Sequence, residues 1–458
     1  MNSGQIPDVL GRILGWLRTM KQPGGYAGPV VHYWRDCLRY IGPSLDWRYE
    51  GLIAGLLTLH EKTGDSRFLS LATEAGNHLV RGQLSNGCFR NSNFEANPSF
   101  RSGSTPHESA ASIGLLLLAR ALKETGRDGG AYARAALRNI DEFHFGRLYD
   151  ESSGLFFQRV GDRTTHAPNK LATIAELLFL AEEVTAEARY RKAAFRCLDF
   201  VLLLQDPETG GILQGDVAAP WSLFPRRQVA YYTARCIPAL LQAHDHSREE
   251  RYLRGALRAG EFLRSMEAPG GGFHFGLMEP KGTQGFRLYR YPMFAGGCGD
   301  ILRALWLLRE HGSFPTDKST RWLLEQVDPN GGVRTSYGML KMDSEGEYEG
   351  LPFWRDVVHC VGWTDKALRF LALLLEPGAS VGTCPSRPWR FECADGTYEE
   401  DQGTIRIRGP ESHTFSKGAM FSRRDRLSRA WMAAGFLYAR LRRTYGPEAR
   451  VLERLGMK

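Results

Sequence analysis

At 458 residues, with 43% apolar and 24% charged side chains of both signs, the chain is long enough for a large core and too mixed in charge to be disordered. The net charge of +8 is spread along the whole chain, which argues against nucleic acid and leaves an anionic small molecule or glycan as its better use. No run approaches the roughly 20 apolar residues of a membrane span, and the start lacks a basic then apolar leader. The eight cysteines stand singly, without CxxC pairs, so a reducing cytoplasm is the expected compartment, and no cofactor or metal is expected.

A short amphipathic helix is predicted over residues 8–20, followed by a Gly- and aromatic-rich lead-in to residue 43. Next comes a helix from about Trp47 to Lys62, with Gly51 and Gly55 one turn apart where close packing needs them. It stops at Thr63-Gly64-Asp65, and a more polar helix follows from Arg67 to Gly82. This inner–outer pairing recurs. Further inner helices are expected to start near Pro106, Pro168, Pro225, Pro292 and Pro352, with proline in the first turn. Outer helices are predicted over Ala131 to Phe145, Ala188 to Leu204, Glu249 to Ser265 and Thr316 to Val327, with a last one from Ser428 to Tyr445. Gly-centred turns at Gly87, Gly154, Gly211, Gly272, Gly332 and Gly396 punctuate the pattern at a period of about sixty residues. From Gly378 to Arg426 the chain alternates like strands, as in Thr404-Ile405-Arg406-Ile407-Arg408, and is read as a β-hairpin insertion.

Each two-helix unit has an apolar side that it cannot bury alone, so six units must stack and can close into a ring. The expectation is an all-α (α/α)6 toroid with short Gly-turn hairpins, a single domain over 1–458 with residues 1–43 as lead-in and 378–426 as insertion. On this repeat architecture, residues 44 to 445 resemble the six-hairpin glycosidase-like superfamily, whose members include glycoside hydrolases, polysaccharide lyases and sugar epimerases. A weaker resemblance is to the terpenoid-cyclase and protein-prenyltransferase toroids. That likeness implies a zinc site through Cys298 and His359, although Gly296 stands where an Asp is expected.

In such a ring the inner-helix starts gather at one mouth. The residues placed there are Asp46, Trp47, Arg48 and Glu50, then His107 and Glu108, then His166, Asn169 and Lys170. Later repeats add Trp221, Arg226 and Arg227, then Arg287, Tyr289, Arg290 and Tyr291, and finally Trp354, Arg355, Asp356 and His359. Aromatic faces stack on sugars, arginines pair with carboxylates, and helix N-termini add partial positive charge, so an oligosaccharide or acidic glycan is the expected partner. Hydrolysis needs two carboxyl groups across a cleft, and Glu108 with Asp356 is the leading pair among Asp46, Glu50, Glu95, Glu108, Asp300 and Asp356. A lyase or uronate epimerase needs a base beside the substrate carboxylate, for which His107, His166, Tyr289 and Tyr291 are candidates, with Asn169, Arg227 and Arg290 as stabilisers. The other readings are a prenyltransferase- or cyclase-like enzyme and a non-catalytic glycan-binding toroid. Asp46, His107, Glu108 and Asp356 each also fit a plain helix-start role.

Overall fold

The computed structural model describes residues 5–32, 37–41, 43–92, 102–103, 105–214, 225–339, 350–409 and 413–415. Six inner helices surround one axis: α2 (Arg48–Thr63), α4 (Glu108–Glu124), α6 (Pro168–Thr185), α9 (Ile237–Ser247, led by the short α8, Ala230–Ala234), α11 (Ala295–Leu308) and α14 (Val361–Leu373). Successive inner helices touch, and α14 packs back on α2 to close the ring. Glycines make that closure tight. A Cβ on Gly51 would lie 2.2 Å from Asp365 Oδ2, and one on Gly55 2.9 Å from Leu368 Cγ, so only hydrogen fits at either place.

Outside this ring lie α3 (Ser66–Arg81), α5 (Gly130–Arg138, running on as a π-helix to Leu148), α7 (Ala188–Leu203), α10 (Glu250–Ser265) and α12 (Asp317–Glu325). The sixth outer place, against α14, belongs to the N-terminal helix α1 (Gln5–Thr19), whose Ile6, Val9, Leu10, Ile13, Trp16 and Leu17 are buried. The N-terminal helix therefore pairs with the last inner helix. The segment 428–445, expected to fill this place, lies outside the described residues.

The outer ring is held by a repeated contact. After each outer helix the turn glycine takes a left-handed conformation (Gly87, Gly154, Gly210, Gly271 and Gly331, φ between 72° and 98°) and presses on the next outer helix. A cation of that helix then donates to a carbonyl of the turn. The bonds are Arg138 to Ser85 at 2.6 Å, Arg196 to Ser153 at 2.8 Å, Arg258 to Asp206 at 2.9 Å, Lys318 to Ala268 at 3.2 Å and Arg12 to Asp328 at 3.1 Å. The Arg12 contact establishes α1 as the next member after α12. Gly396, taken from its spacing as the sixth ring turn, instead joins strands 389–393 and 396–401 of the four-stranded antiparallel C-terminal sheet.

Only Pro168 occupies a helix first turn as expected. Pro225 and Pro292 precede the strands Arg226–Val229 and Met293–Phe294, which pair with Gly276–Glu279 and Ser336–Tyr337 and come before their helices, and Pro352 precedes the single-turn α13 (Trp354–Val357).

Candidate functional site

The inner-helix starts form a bowl with an aromatic wall. Trp47, just before α2, meets Trp363 of α14 with ring centres 5.6 Å apart, and Trp363 lies nearly parallel to Phe294 at 5.7 Å and edge-on to Tyr231 at 6.2 Å. Tyr232 adjoins Tyr231 at 4.3 Å. Gly362 lets Trp47 settle on the α14 start, because a Cβ there would fall 2.4 Å from the indole. Trp47, Tyr232 and Trp363 stay half-buried, so parts of their surfaces remain open for stacking, and Lys366 Nζ stands 4.6 Å from the Trp47 ring centre.

Below the wall, charged side chains from five repeats interlock around the axis. Glu50 of α2 takes Arg369 at 2.5 Å and Arg235 at 2.8 Å, and Arg235 also reaches Glu176 of α6 at 3.3 Å. Arg303 of α11 approaches Glu176 at 3.4 Å, Asp300 takes Arg369 at 2.5 Å, and Asp365 takes Lys366 at 2.6 Å. Burial alone would raise Glu50, but Arg235 and Arg369 outweigh it and hold the carboxyl at about 2. Burial pushes Asp365 up to about 7 despite Lys366, so that carboxyl is protonatable near neutrality.

On the α4–α6 side stand two nitrogen groups. Lys170, in the first turn of α6, is half-buried, and among the described residues no carboxylate lies within ion-pair reach of it. Burial, helped by Arg159, lowers its amine to about 7. His107, immediately before α4, is held well below its ordinary value by burial and by the Lys170 ammonium, so its imidazole is neutral. The pair offers an amine able to take up a proton and a neutral ring able to donate a hydrogen bond.

The remaining expected residues are placed as follows. Glu108 is buried and accepts from Phe89 N at 3.0 Å, Gly103 N at 2.8 Å, Asn139 Nδ2 at 2.9 Å and the Ser92 hydroxyl, and burial raises it to about 7. Asp356 accepts from Ser336 Oγ at 2.7 Å, Met339 N at 2.8 Å and Phe353 N at 3.2 Å. Each carboxylate thus anchors its own loop instead of opposing the other over open space. Asp46 and Arg48 form a buried pair at 2.9 Å. His166 bonds the Phe156 carbonyl at 3.0 Å and stacks on Phe157, beside the half-buried Asn169 at the α6 start. Tyr289 and Arg290 are half-buried at and just after the strand Arg287–Tyr289, Tyr291 packs with Ala268 and Met293, and Arg227 lies on the strand Arg226–Val229.

Trp354 and Arg355 are buried against the C-terminal sheet, where the Trp354 N–H donates to Asp395 at 2.9 Å and Arg355 pairs with the same carboxylate at 3.3 Å. His359 is wholly buried between Asp328 at 2.9 Å and Glu400 at 2.6 Å. With both ring nitrogens committed, it does not form the zinc pair with Cys298, which is buried on α11, and no metal-holding cluster occurs among the described residues. Trp221 and Glu95 lie outside the described residues. The sequence reading missed Glu176, Arg235, Arg303, Asp365, Lys366 and Arg369. Their signal was present, because an isolated charge in a helix that is apolar on every side has only the axis to face.

Several solved structures are similar to this chain. An unsaturated glucuronyl hydrolase specific for heparin is 11% identical, with a TM-score of 0.60 over 83% of this chain and 100% of that one. An unsaturated glucuronyl hydrolase responsible for the degradation of glycosaminoglycan, from Bacillus sp. GL1, is 14% identical, with a TM-score of 0.58 over 82% and 97%. An inactive variant of alpha-1,6-mannanase from Salegentibacter sp. HEL1_6, in complex with alpha-1,6-mannotriose, is 13% identical, with a TM-score of 0.54 over 81% and 100%. At such identities the likeness establishes the architecture, the (α/α)6 toroid. No protein-family model matches the chain, and no curated protein is similar to it in sequence. Among the described residues, no helix is long and apolar enough to cross a membrane.

Proposed function

We propose that the chain is a carbohydrate-active enzyme that works on an acidic oligosaccharide in this bowl, by proton transfer at the carbon next to a uronate carboxylate. The observation that carries the reading is Lys170: an amine poised near neutral pH, without a carboxylate partner among the described residues, at the start of α6 across the ring from the half-open Trp47 and Trp363 of the α2–α14 seam. A sugar ring stacks on Trp47 and Trp363, and the unprotonated Lys170 amine takes the proton on the carbon bearing the carboxylate. Charge then builds on the carboxylate oxygens, where the neutral His107 imidazole donates a hydrogen bond. In an elimination, the glycosidic oxygen on the neighbouring carbon leaves with its bonding electrons and takes up a proton, and a carbon–carbon double bond remains. In an epimerisation Lys170 keeps the proton it has taken and a water molecule delivers another to the opposite face of the carbon.

Hydrolysis is the second reading. It is favoured by the glycoside hydrolases that share the fold, two of them named for glucuronyl substrates, and by Asp365, a carboxyl that titrates near 7 at the head of α14. Product analysis in isotopically labelled water separates the two. Elimination gives a new ultraviolet-absorbing double bond and no label oxygen in the product, epimerisation gives deuterium on carbon, and hydrolysis gives label oxygen with no new double bond. Turnover that yields only label oxygen would replace the proton-transfer reading with the second one.

A further inference from the structure

The outer ring has six junctions, and one departs from the rule of the other five. Between α1 and α3 the turn is the hairpin Lys21–Tyr26, and its Gly24 does not press on the next outer helix. A Cβ there would meet nothing of α3 within 4 Å, only Arg90 Nη2 at 3.6 Å, whereas at Gly210, Gly271 and Gly331 the next helix's backbone would lie within 2.0–2.8 Å. The clamp is also inverted. On α3 the partner is an acid, Glu74, which accepts from Lys21 at 2.6 Å. The junction is left open as a cavity of about 620 Å³.

Among the described residues its walls carry Arg18, Lys21, Arg81 and Arg90 against the single acid Glu74. Arg18, Arg81 and Arg90 are exposed, and among the described residues none of them has a carboxylate within ion-pair distance. Two further lining residues, His78 and Gln22, each carry a buried nitrogen, Nδ1 and Nε2, that has no hydrogen-bond partner among the described residues. Burial lowers the His78 value, so its imidazole is neutral and adds a hydrogen-bonding group and no charge. Outer helices run opposite to inner ones, so the C-terminal ends of α1 and α3 that form this cavity lie on the same face as the bowl. Among the described residues no Trp, Tyr or Phe lines it to stack a nucleobase, and its size suits one or two sugar rings.

We infer that this junction is a distal anion subsite, which holds a sulfate or uronate group of a glycan whose reacting end occupies the bowl. Guanidinium forks at the cavity edge take the oxyanion, and His78 and Gln22 meet hydroxyls or oxygens further in. The assignment rests on the acidic-glycan reading of the bowl and extends it along the substrate.

The test is calorimetric titration of the full chain with heparin oligosaccharides of increasing length, from disaccharide upward, for the wild type, for Arg81→Ala/Arg90→Ala and for Lys170→Met. Both arginines are exposed and bond through their side chains to no described residue, so the double variant is expected to fold. Wild-type affinity is expected to rise with length, and the double variant to lose about tenfold on the longest oligosaccharide and nothing on the shortest. Lys170→Met should keep the length dependence. The inference is overturned if the double variant binds long oligosaccharides as tightly as the wild type, if the wild type binds none, or if inorganic sulfate or a DNA oligonucleotide of equal charge competes as well as the glycan. Failure of the bowl reading shows separately, as turnover that survives in Lys170→Met.

Discussion

Trp16 is the sharpest probe of how the ring closes. Its side chain is wholly buried on α1, sits edge-on to the His359 ring at 5.9 Å and donates from Nε1 to Glu400 Oε1 at 2.7 Å. It therefore ties the N-terminal helix to the C-terminal sheet across nearly the whole sequence. Trp16→Ala removes a fully buried aromatic, at about 3–5 kcal/mol, and leaves a buried carboxylate oxygen without its donor, at about 1–3 kcal/mol more. The expected total is about 4–8 kcal/mol, a large part of the roughly 5–15 kcal/mol by which domains are stable. Trp16→Phe keeps most of the packing and loses the donor, so it should cost about 1–3 kcal/mol. Guanidinium unfolding followed by far-ultraviolet circular dichroism measures both. If Trp16→Ala unfolds within about 1 kcal/mol of the wild type, α1 is not an integral member of the outer ring and the closure described above is mistaken.

Three further outcomes follow from the buried charges. The carboxylates of Glu400 and Asp328 raise His359 from 6.5 to about 9 against the opposing effect of burial, so its contribution to stability is complete below pH 6.5 and is lost as pH rises through 9. Wild-type stability should thus fall by up to about 3 kcal/mol over that window, as read from denaturation midpoints, and His359→Gln should remove the slope. Glu50→Gln leaves Arg235 and Arg369 without their shared carboxylate and should destabilise by about 3–5 kcal/mol in the same assay. Glu108→Ala strips four donors of their acceptor, so thermal unfolding should reveal a lower midpoint, and its loss of activity should track the loss of folded protein instead of a changed KM.

The ring was legible in the sequence because close packing leaves local marks. Gly51 and Gly55 announced the tight α2–α14 seam from within one helix, and His107 and Lys170 were found because helix starts have recognisable composition. Long-range substitutions left no such mark. Gly396 lies inside the stretch read as a β-hairpin, yet its spacing also fits the sixty-residue period, and nothing local reveals that the hairpin at Gly24 and Gly25 takes the sixth ring position instead. Trp354, Arg355 and His359 read as mouth residues until the C-terminal sheet is laid over them, a contact set by Asp395 and Glu400, some forty residues on. The axial ions were marked in the sequence only as charges in largely apolar helices, and their pairing appears only when closure brings Glu50, Arg235 and Arg369 together.

The most direct test of the central claim is the pH profile of kcat/KM on a uronate-containing oligosaccharide for the wild type and Lys170→Met. With Lys170 as the proton acceptor, wild-type kcat/KM should rise as the amine deprotonates through about pH 7, and Lys170→Met should lose at least ~100-fold in rate together with that limb. A Lys170→Met enzyme with the wild-type rate and an unchanged limb near pH 7 would contradict the account.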